Sequence, residues 1–152
     1  MILRAGDTIS GQEGKATANI EGLVQDMFFV KTIEATFEKT KAEIKTIGHR
    51  GTQHKGTGWA GTGSMTIFYV TTLFRQMALK YAKTGRDTYF DITVVNEDPT
   101  STIGKQTVVL YNCNIDSAIL AKLDTESDVL DEEVSFTFDD FDILDAFGNP
   151  VV

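Results

Sequence analysis

The chain is 152 residues long, 41% hydrophobic and 24% charged, which is typical of a single soluble globular domain. Its formal net charge is −8, and an acidic surface does not favour binding to nucleic acid. No apolar run approaches the roughly 18 residues needed to cross a bilayer. The first residues lack a basic region followed by an apolar stretch. We therefore expect no membrane insertion by this chain and no signal peptide.

The charge is unevenly distributed along the chain. Residues 123–152 contain ten acidic residues and no Lys or Arg, whereas residues 1–122 hold 14 basic and 12 acidic residues, a net of +2. The acidic end has two interpretations. It is either a solvated face that aids solubility, or a surface that repels a polyanion or meets a basic partner.

The first third of the chain predicts an arm and two strands. Residues 1–15 contain three glycines and no periodicity, which indicates an N-terminal arm. Apolar residues alternate with polar ones over residues 16–20, so a short strand is predicted, ending at Gly22. The same alternation runs from Phe29 to Glu38 and predicts a half-buried antiparallel strand.

Residues 40–64 are the least regular part of the chain. Residues 40–46 are polar and charged, and we expect them to extend a hairpin beyond the body of the fold. Residues 48–64 contain six glycines and predict a long loop. Loops of this length in a compact domain are usually functional or mobile.

The second half predicts one helix and several strands. Residues 65–70 are expected to form a strand buried on both faces. Apolar residues at helical spacing predict a helix over residues 72–83, with Thr71 or Thr72 at its N-terminus and Gly85 at its end. Further strands are predicted at residues 90–94, 108–115, 118–123 and 134–138.

The apolar positions of the last strand shift from one face to the other after Phe138. Phe136 and Phe138 share one parity, and Phe141 and Ile143 take the opposite one. Such a shift indicates a bulge or corner near Asp139 and Asp140. The fold class is therefore mainly β (α+β), an antiparallel β-sandwich or half-barrel with one flanking α-helix in a single domain over residues 1–152.

Catalytic and metal-binding motifs are weak. Residues 56–61 match G-x-G-x-x-G, but a dinucleotide site needs a buried strand before the motif and a helix after it. His49, His54 and Cys113 do not have the spacing of a zinc site. Residues 124–128 carry alternating acids, yet Val129 stands where a calcium loop needs glycine. We expect no catalytic residues, no metal and no cofactor.

Several segments together resemble a known family. They are residues 48–55, 58–64, 65–70, 89–91, 96–101, 103–106 and 132–141. In this order they are similar to the XkdM-like tail tube proteins of contractile phage tails and phage-derived (R-type) bacteriocins. The resemblance extends from about residue 19 to residue 147.

The resemblance implies a tail-tube fold, shared with the type VI secretion tube, and an assembly. Six subunits would form a ring whose inner wall is a closed barrel, and the rings would stack into a tube inside a sheath. The implied partners are further copies of the chain, the sheath protein, the tape measure and the baseplate, with DNA only as passing cargo. The implied location is a virion tail or phage-tail-like particle made in the bacterial cytoplasm.

We hypothesise that residues 40–64 and the arm make contacts between rings. The candidate contact residues are His49, Arg50, Gln53, His54, Lys55 and Trp59. Trp59 has two interpretations: it folds back onto the core, or it anchors another subunit. The alternatives to a phage tail tube are a type VI secretion tube protein and, in another class, a small-ligand-binding or enzymatic β-barrel module.

Overall fold

A computed structural model describes residues 2–26 and 30–149. These residues form a short 3-10 turn at Ala5–Asp7 and the following strands and helix: β1 (Gly14–Ile20), β2 (Leu23–Asp26), β3 (Val30–Ile44), β4 (Gln53–Phe68), α1 (Leu73–Thr84), β5 (Phe90–Glu97), β6 (Lys105–Ile115), β7 (Asp131–Phe138) and β8 (Asp140–Asp145). The predicted start of a strand at Phe29 lies outside the described residues, as do residues 150–152 at the end of the acidic segment.

The strands pair antiparallel in the order β2-β1-β5-β6-β7-β4-β3, and β8 pairs with β6. Strand β6 belongs to both halves of this arrangement. Its Thr107–Tyr111 stretch pairs with β8, while Asn114 and Ile115 pair with β7. The mainly antiparallel β fold with one helix is confirmed, and the sheet stays open.

The core lies between the inner faces of the strands and the helix. Its most deeply buried side chains come from β4, β5, β6 and β7: Met65, Ile67, Ile92, Cys113, Val134 and Phe136. Helix α1 contributes Phe74 and Met77 to the same cluster. Alternating positions of β7 are buried, as expected for a strand with one face against a core.

Helix α1 matches its prediction to within one residue at each end. The Thr71 hydroxyl accepts a hydrogen bond from the Leu73 N–H at 3.3 Å, so Thr71 rather than Thr72 supports the first turn. Gly85 ends the helix with a φ of 73° and donates its N–H to the Tyr81 carbonyl. A left-handed residue at this position is the usual helix stop, and glycine adopts it without strain.

The predicted corner near Asp139 and Asp140 is confirmed. Strand β7 ends at Phe138 and β8 begins at Asp140, so the chain changes partners across one residue. The Asn112 amide donates to both carboxylate oxygens of Asp139, at 3.0 and 3.2 Å. Asn112 has a φ of 54° and lies at a bulge in β6. Two irregularities therefore meet where the sheet turns.

The prediction of a long glycine-rich loop over residues 48–64 is wrong. Residues 53–64 belong to β4, and only residues 45–52 connect it to β3. Gly61 lies opposite Phe138 and Gly63 lies opposite Phe136. A Cβ atom at either glycine would stand 2.4 Å from the facing ring. These two glycines make room for phenylalanine rings across the sheet and do not serve a turn.

Two smaller predictions are also wrong. Residues 118–123 form no strand; the Ile119 carbonyl accepts from Arg75, and Lys122 donates to the Asp131 carbonyl. Residues 65–70 are not buried on both faces. Met65 and Ile67 are buried, whereas the residues on the opposite side, Phe68 and Val70, are exposed.

The N-terminal arm predicted over residues 1–15 is attached to the body, and β1 begins at Gly14 rather than Ala16. The buried Asp7 carboxylate accepts from the Thr102 N–H at 3.0 Å and from the Thr102 hydroxyl at 2.6 Å. The Asp98 carboxylate accepts from the Ser10 N–H at 3.0 Å. These bonds fasten the arm to the turn between β5 and β6.

Candidate subunit interface

Strands β3 and β4 form a hairpin that projects beyond the rest of the sheet. The two strands pair from Thr32 with Thr66 to Ile44 with Gln53, but β4 pairs with β7 only from Gly61 onward. Among the described residues, residues 38–60, here called the ribbon, therefore have only each other as strand partners. At about 3.3 Å per residue, the paired part of the ribbon extends roughly 20–25 Å from the body.

Every residue of the ribbon is exposed. The half-buried strand predicted from Phe29 to Glu38 is only partly right: Val30 and Ile33 are partly buried, but from Glu34 onward the strand is exposed on both faces. An isolated two-stranded ribbon is at best marginally stable in water. A ribbon of this length gains stability when another surface covers it.

Five of the predicted contact residues lie together at the end of the ribbon. His49 and Arg50 lie in the connection between the strands, and Gln53, His54 and Lys55 begin β4. Across the ribbon, Gln53 faces Ile44, His54 faces Glu43 and Lys55 faces Ala42. All five predicted residues are exposed, so the structure makes them available for contact without showing a contact.

Trp59, the sixth predicted contact residue, lies at the base of the ribbon. Its ring centroid is 5.1 Å from that of Phe37, 6.1 Å from that of Phe138 and 5.5 Å from that of Phe141. These four rings form a cluster that we call the aromatic base. Trp59 is 36% exposed, so it packs against the body and still presents part of its ring to solvent. This packing agrees with the interpretation that Trp59 folds back onto the body, and its role as an anchor for another subunit stays a prediction.

The sequence interpretation missed Phe37 and Phe141 as members of this surface. Phe37 is 47% exposed and Phe141 is 36% exposed. The regular alternation of this segment predicts that Phe37 lies on the buried face of its strand. The change of face after Phe138 was the available signal for Phe141, since it moves that side chain away from the face that Phe136 occupies.

The C-terminal acids are divided between internal ion pairs and the surface. Lys31 donates to Asp131 at 3.1 Å, and this bond together with the charges of Lys31 and Lys122 lowers the pKa of Asp131. The fully buried Glu132 pairs with Arg75 at 2.6 Å. Its other oxygen, Oε1, has no hydrogen-bond partner among the described residues. This ion pair joins β7 to α1.

The candidate catalytic and metal-binding residues lie in different environments and do not form a site. Cys113 is fully buried, and burial raises the pKa of its thiol to about 12. His49 and His54 lie on the exposed ribbon, and residues 56–61 run along β4 rather than between a strand and a helix. Within residues 2–26 and 30–149, no three metal-ligating side chains come together. No helix among these residues is long and apolar enough to cross a membrane.

A groove of about 740 Å³ lies between the start of β3 and the strands β1 and β5. Its described lining includes Lys15, Lys31 and Asn96 but no carboxylate or histidine. The residues that line it thus offer no acid–base pair of the kind that hydrolytic or proton-transfer chemistry uses.

A projecting hairpin, an open antiparallel sheet and a flanking helix agree with what comparison with known proteins shows. A family model described as phage tail tube protein matches residues 1–145. The chain belongs to this family. It is a tail tube subunit, as its resemblance to the XkdM-like proteins implied.

Two proteins of Bacillus subtilis (strain 168) are similar over nearly their whole length. The phage-like element PBSX protein XkdM is 45% identical over 149 residues, which are 98% of this chain and 99% of XkdM. The uncharacterized protein YqbM is 45% identical over 143 residues, covering 94% of this chain and 95% of YqbM.

Solved structures confirm the fold. The tube-terminating cap of the anti-feeding prophage matches with a TM-score of 0.71 at 11% identity, over 96% of this chain and 95% of that one. A chain of the sheath–tube complex of an extracellular contractile injection system matches with a TM-score of 0.68 at 13% identity, over 91% and 93%. A Bacillus subtilis protein that is 43% identical matches with a TM-score of 0.52, over 92% and 98%.

Proposed function

We propose that this tail tube subunit builds the inner tube of a contractile phage tail or phage-tail-like particle, as stacked rings of six copies around a lumen. It acts as a structural protein and not as an enzyme. The observation that carries this proposal is the ribbon, because residues 38–60 are exposed throughout and pair with no other strand in the part of the chain that the structure describes. Because the chain belongs to a family of tail tube proteins, we infer that neighbouring copies of the chain contact this exposed surface.

Ring formation is supported by the unpaired strand edges. Strand β3 ends the path of the sheet and is 15 residues long, which is long for an unprotected edge. Pairing between neighbours in a closed ring removes such edges. The sheath, tape measure and baseplate are the further partners of this proposal, and DNA is only passing cargo, since a chain of net charge −8 does not hold a polyanion.

The test replaces residues 40–58 with Asn-Gly. Lys39 and Trp59 face each other across the ribbon, so a two-residue turn can join them and keep the aromatic base. The purified full-length chain should form tubes of stacked rings in negative-stain micrographs at high concentration. The shortened chain should fold with a similar circular dichroism spectrum and form no tubes. Tubes of normal length from the shortened chain would contradict the role of the ribbon, and an unshortened chain that never forms rings would contradict the function.

A further inference from the structure

The end of the ribbon carries positive charge without internal compensation. Residues 45–55, here called the tip, include Lys45, Arg50 and Lys55 and no acidic residue. None of these three cations forms an ion pair with another described residue. Ile47 lies among them and is fully exposed. The tip thus presents three cations around an apolar side chain.

A loop on the body has the opposite composition. Residues 123–129, here called the acidic loop, contain Asp124, Glu126 and Asp128 and no basic residue. These acids are exposed, and none is paired with a described cation. Leu123 and Val129 in the same loop are 97% and 62% exposed. The loop therefore complements the tip: it has the same number of charges, of opposite sign, and it also has exposed apolar residues.

The tip and the acidic loop lie at opposite ends of β4. This strand begins inside the tip at Gln53 and ends at Phe68, which faces Asp131, two residues after the loop. The next residue, Tyr69, donates its N–H to the Leu130 carbonyl at 3.0 Å. The 13 residue steps from Lys55 to Phe68, at about 3.3 Å each, separate the two surfaces by roughly 40 Å. A tip cannot reach the loop of its own chain, but it can reach the loop of a copy placed head to tail.

The acids at the corner between β7 and β8 are in the wrong place for such a contact. Phe138 lies opposite Gly61, so Asp139 and Asp140 stand at the end of the body from which the ribbon leaves. Asp139 is also engaged by the Asn112 amide. A head-to-tail contact, which repeats from copy to copy without closing on itself, brings the tip to the acidic loop instead.

We propose that the tip of one copy docks on the acidic loop of a copy in the next ring, with Ile47 against Leu123 and Val129 and the charges paired around them. This inference rests on the proposed function and names the two surfaces that join successive rings. Complementary charge selects the orientation and register of the contact, and the buried apolar centre holds it.

Charge reversal tests the pairing in the full-length chain. One variant carries Lys45→Glu, Arg50→Glu and Lys55→Glu, and a second carries Asp124→Lys, Glu126→Lys and Asp128→Lys. Each alone should raise the protein concentration needed for tubes by about tenfold or more while single rings persist, because attraction becomes repulsion at three pairs. The chain with all six changes should recover tubes. Lys15→Glu with Lys83→Glu and Arg86→Glu changes the charge equally and should leave tube formation unchanged.

A crosslink tests the same contact without relying on electrostatics. Cys113 is buried and does not interfere. Arg50→Cys combined with Glu126→Cys should give a ladder of disulfide-linked chains when tubes are oxidised, whereas Arg50→Cys with Asp140→Cys should give none. A ladder only from the second pair, or undiminished tubes from either single reversal, would overturn the inference. A parent chain that makes no tubes would count against the proposed function instead.

Discussion

At the scale of single residues, two glycines of β4 have a packing role that their neighbours in the ribbon lack. The ring of Phe136 lies over Gly63, and a Cβ atom there would meet it at 2.4 Å and the Glu34 carbonyl oxygen at 2.9 Å. Gly58, in the same strand, has nothing within 4 Å of the same position. Packing across the sheet therefore requires glycine at position 63 but not at position 58.

Gly63→Ala should reduce the free energy of unfolding by about 1–3 kcal/mol, because the added methyl group forces the Phe136 ring or the β3 backbone to move. Gly58→Ala is the matched control and should change it by no more than about 0.5 kcal/mol. Urea denaturation of both variants measures the difference. Equal midpoints for the two variants would show that the rings do not require the glycines.

At the scale of elements, the sequence predicted best where the determining contacts are local. The helix and its stop at Gly85 depend on neighbours within a few residues, and the corner at Asp139 follows from a change of alternation in one strand. For the glycine-rich part of β4, composition alone predicts a loop. Glycine is needed there because the rings of Phe136 and Phe138 pack against it, and these residues lie more than 70 positions away in the chain. Local composition does not contain that partner.

The candidate interface was also only partly predictable from local sequence. The six predicted contact residues were chosen because residues 40–64 lacked a core-forming pattern, and the structure places all six on or at the base of an exposed ribbon. Phe37 and Phe141 were missed because an alternating apolar residue predicts burial in a sheet that is covered. Among the described residues, Phe37 packs against Trp59 and Phe141 and still remains 47% exposed, so the alternation predicted a burial that the single chain does not provide.

The hydrogen bonds that attach the N-terminal arm involve two carboxylates, so we expect the attachment to depend on pH. The hydroxyl and the N–H of Thr102 lower the pKa of Asp7, and the N–H groups of Ser10 and Thr100 lower that of Asp98. A carboxyl group with a lowered pKa in the folded state stabilises it above the ordinary aspartate pKa of about 3.9. That contribution disappears as the pH falls through the lowered pKa.

We therefore expect the arm to detach in acid before the core unfolds. The amide resonance of Thr102 should shift, and its hydrogen exchange should accelerate, as the pH falls below about 4. In Asp7→Asn, which accepts hydrogen bonds but does not ionise there, the titration of this resonance should be lost or strongly reduced. An unchanged titration in Asp7→Asn would assign the pH dependence to another group.

At the scale of the whole molecule, β6 links the two halves of the sheet. It pairs with β5 along one edge and with β8 and then β7 along the other. Cys113 lies where these partners change and is fully buried. We expect that exposing this side chain requires both halves to separate, so that its thiol reports on opening of the entire fold.

Cys113 should react with an aromatic disulfide reagent only at the rate of global unfolding. Burial both blocks access and, with the pKa raised to about 12, leaves almost no thiolate near neutral pH. Assembly stabilises the folded chain by mass action, so labelling should be slower still in tubes than in dispersed protein. Lys83→Cys adds an exposed thiol at the end of α1, which should react at once in the dispersed chain. Equal labelling rates at the two positions would mean that the junction at β6 opens locally, and that the two halves of the sheet separate without unfolding.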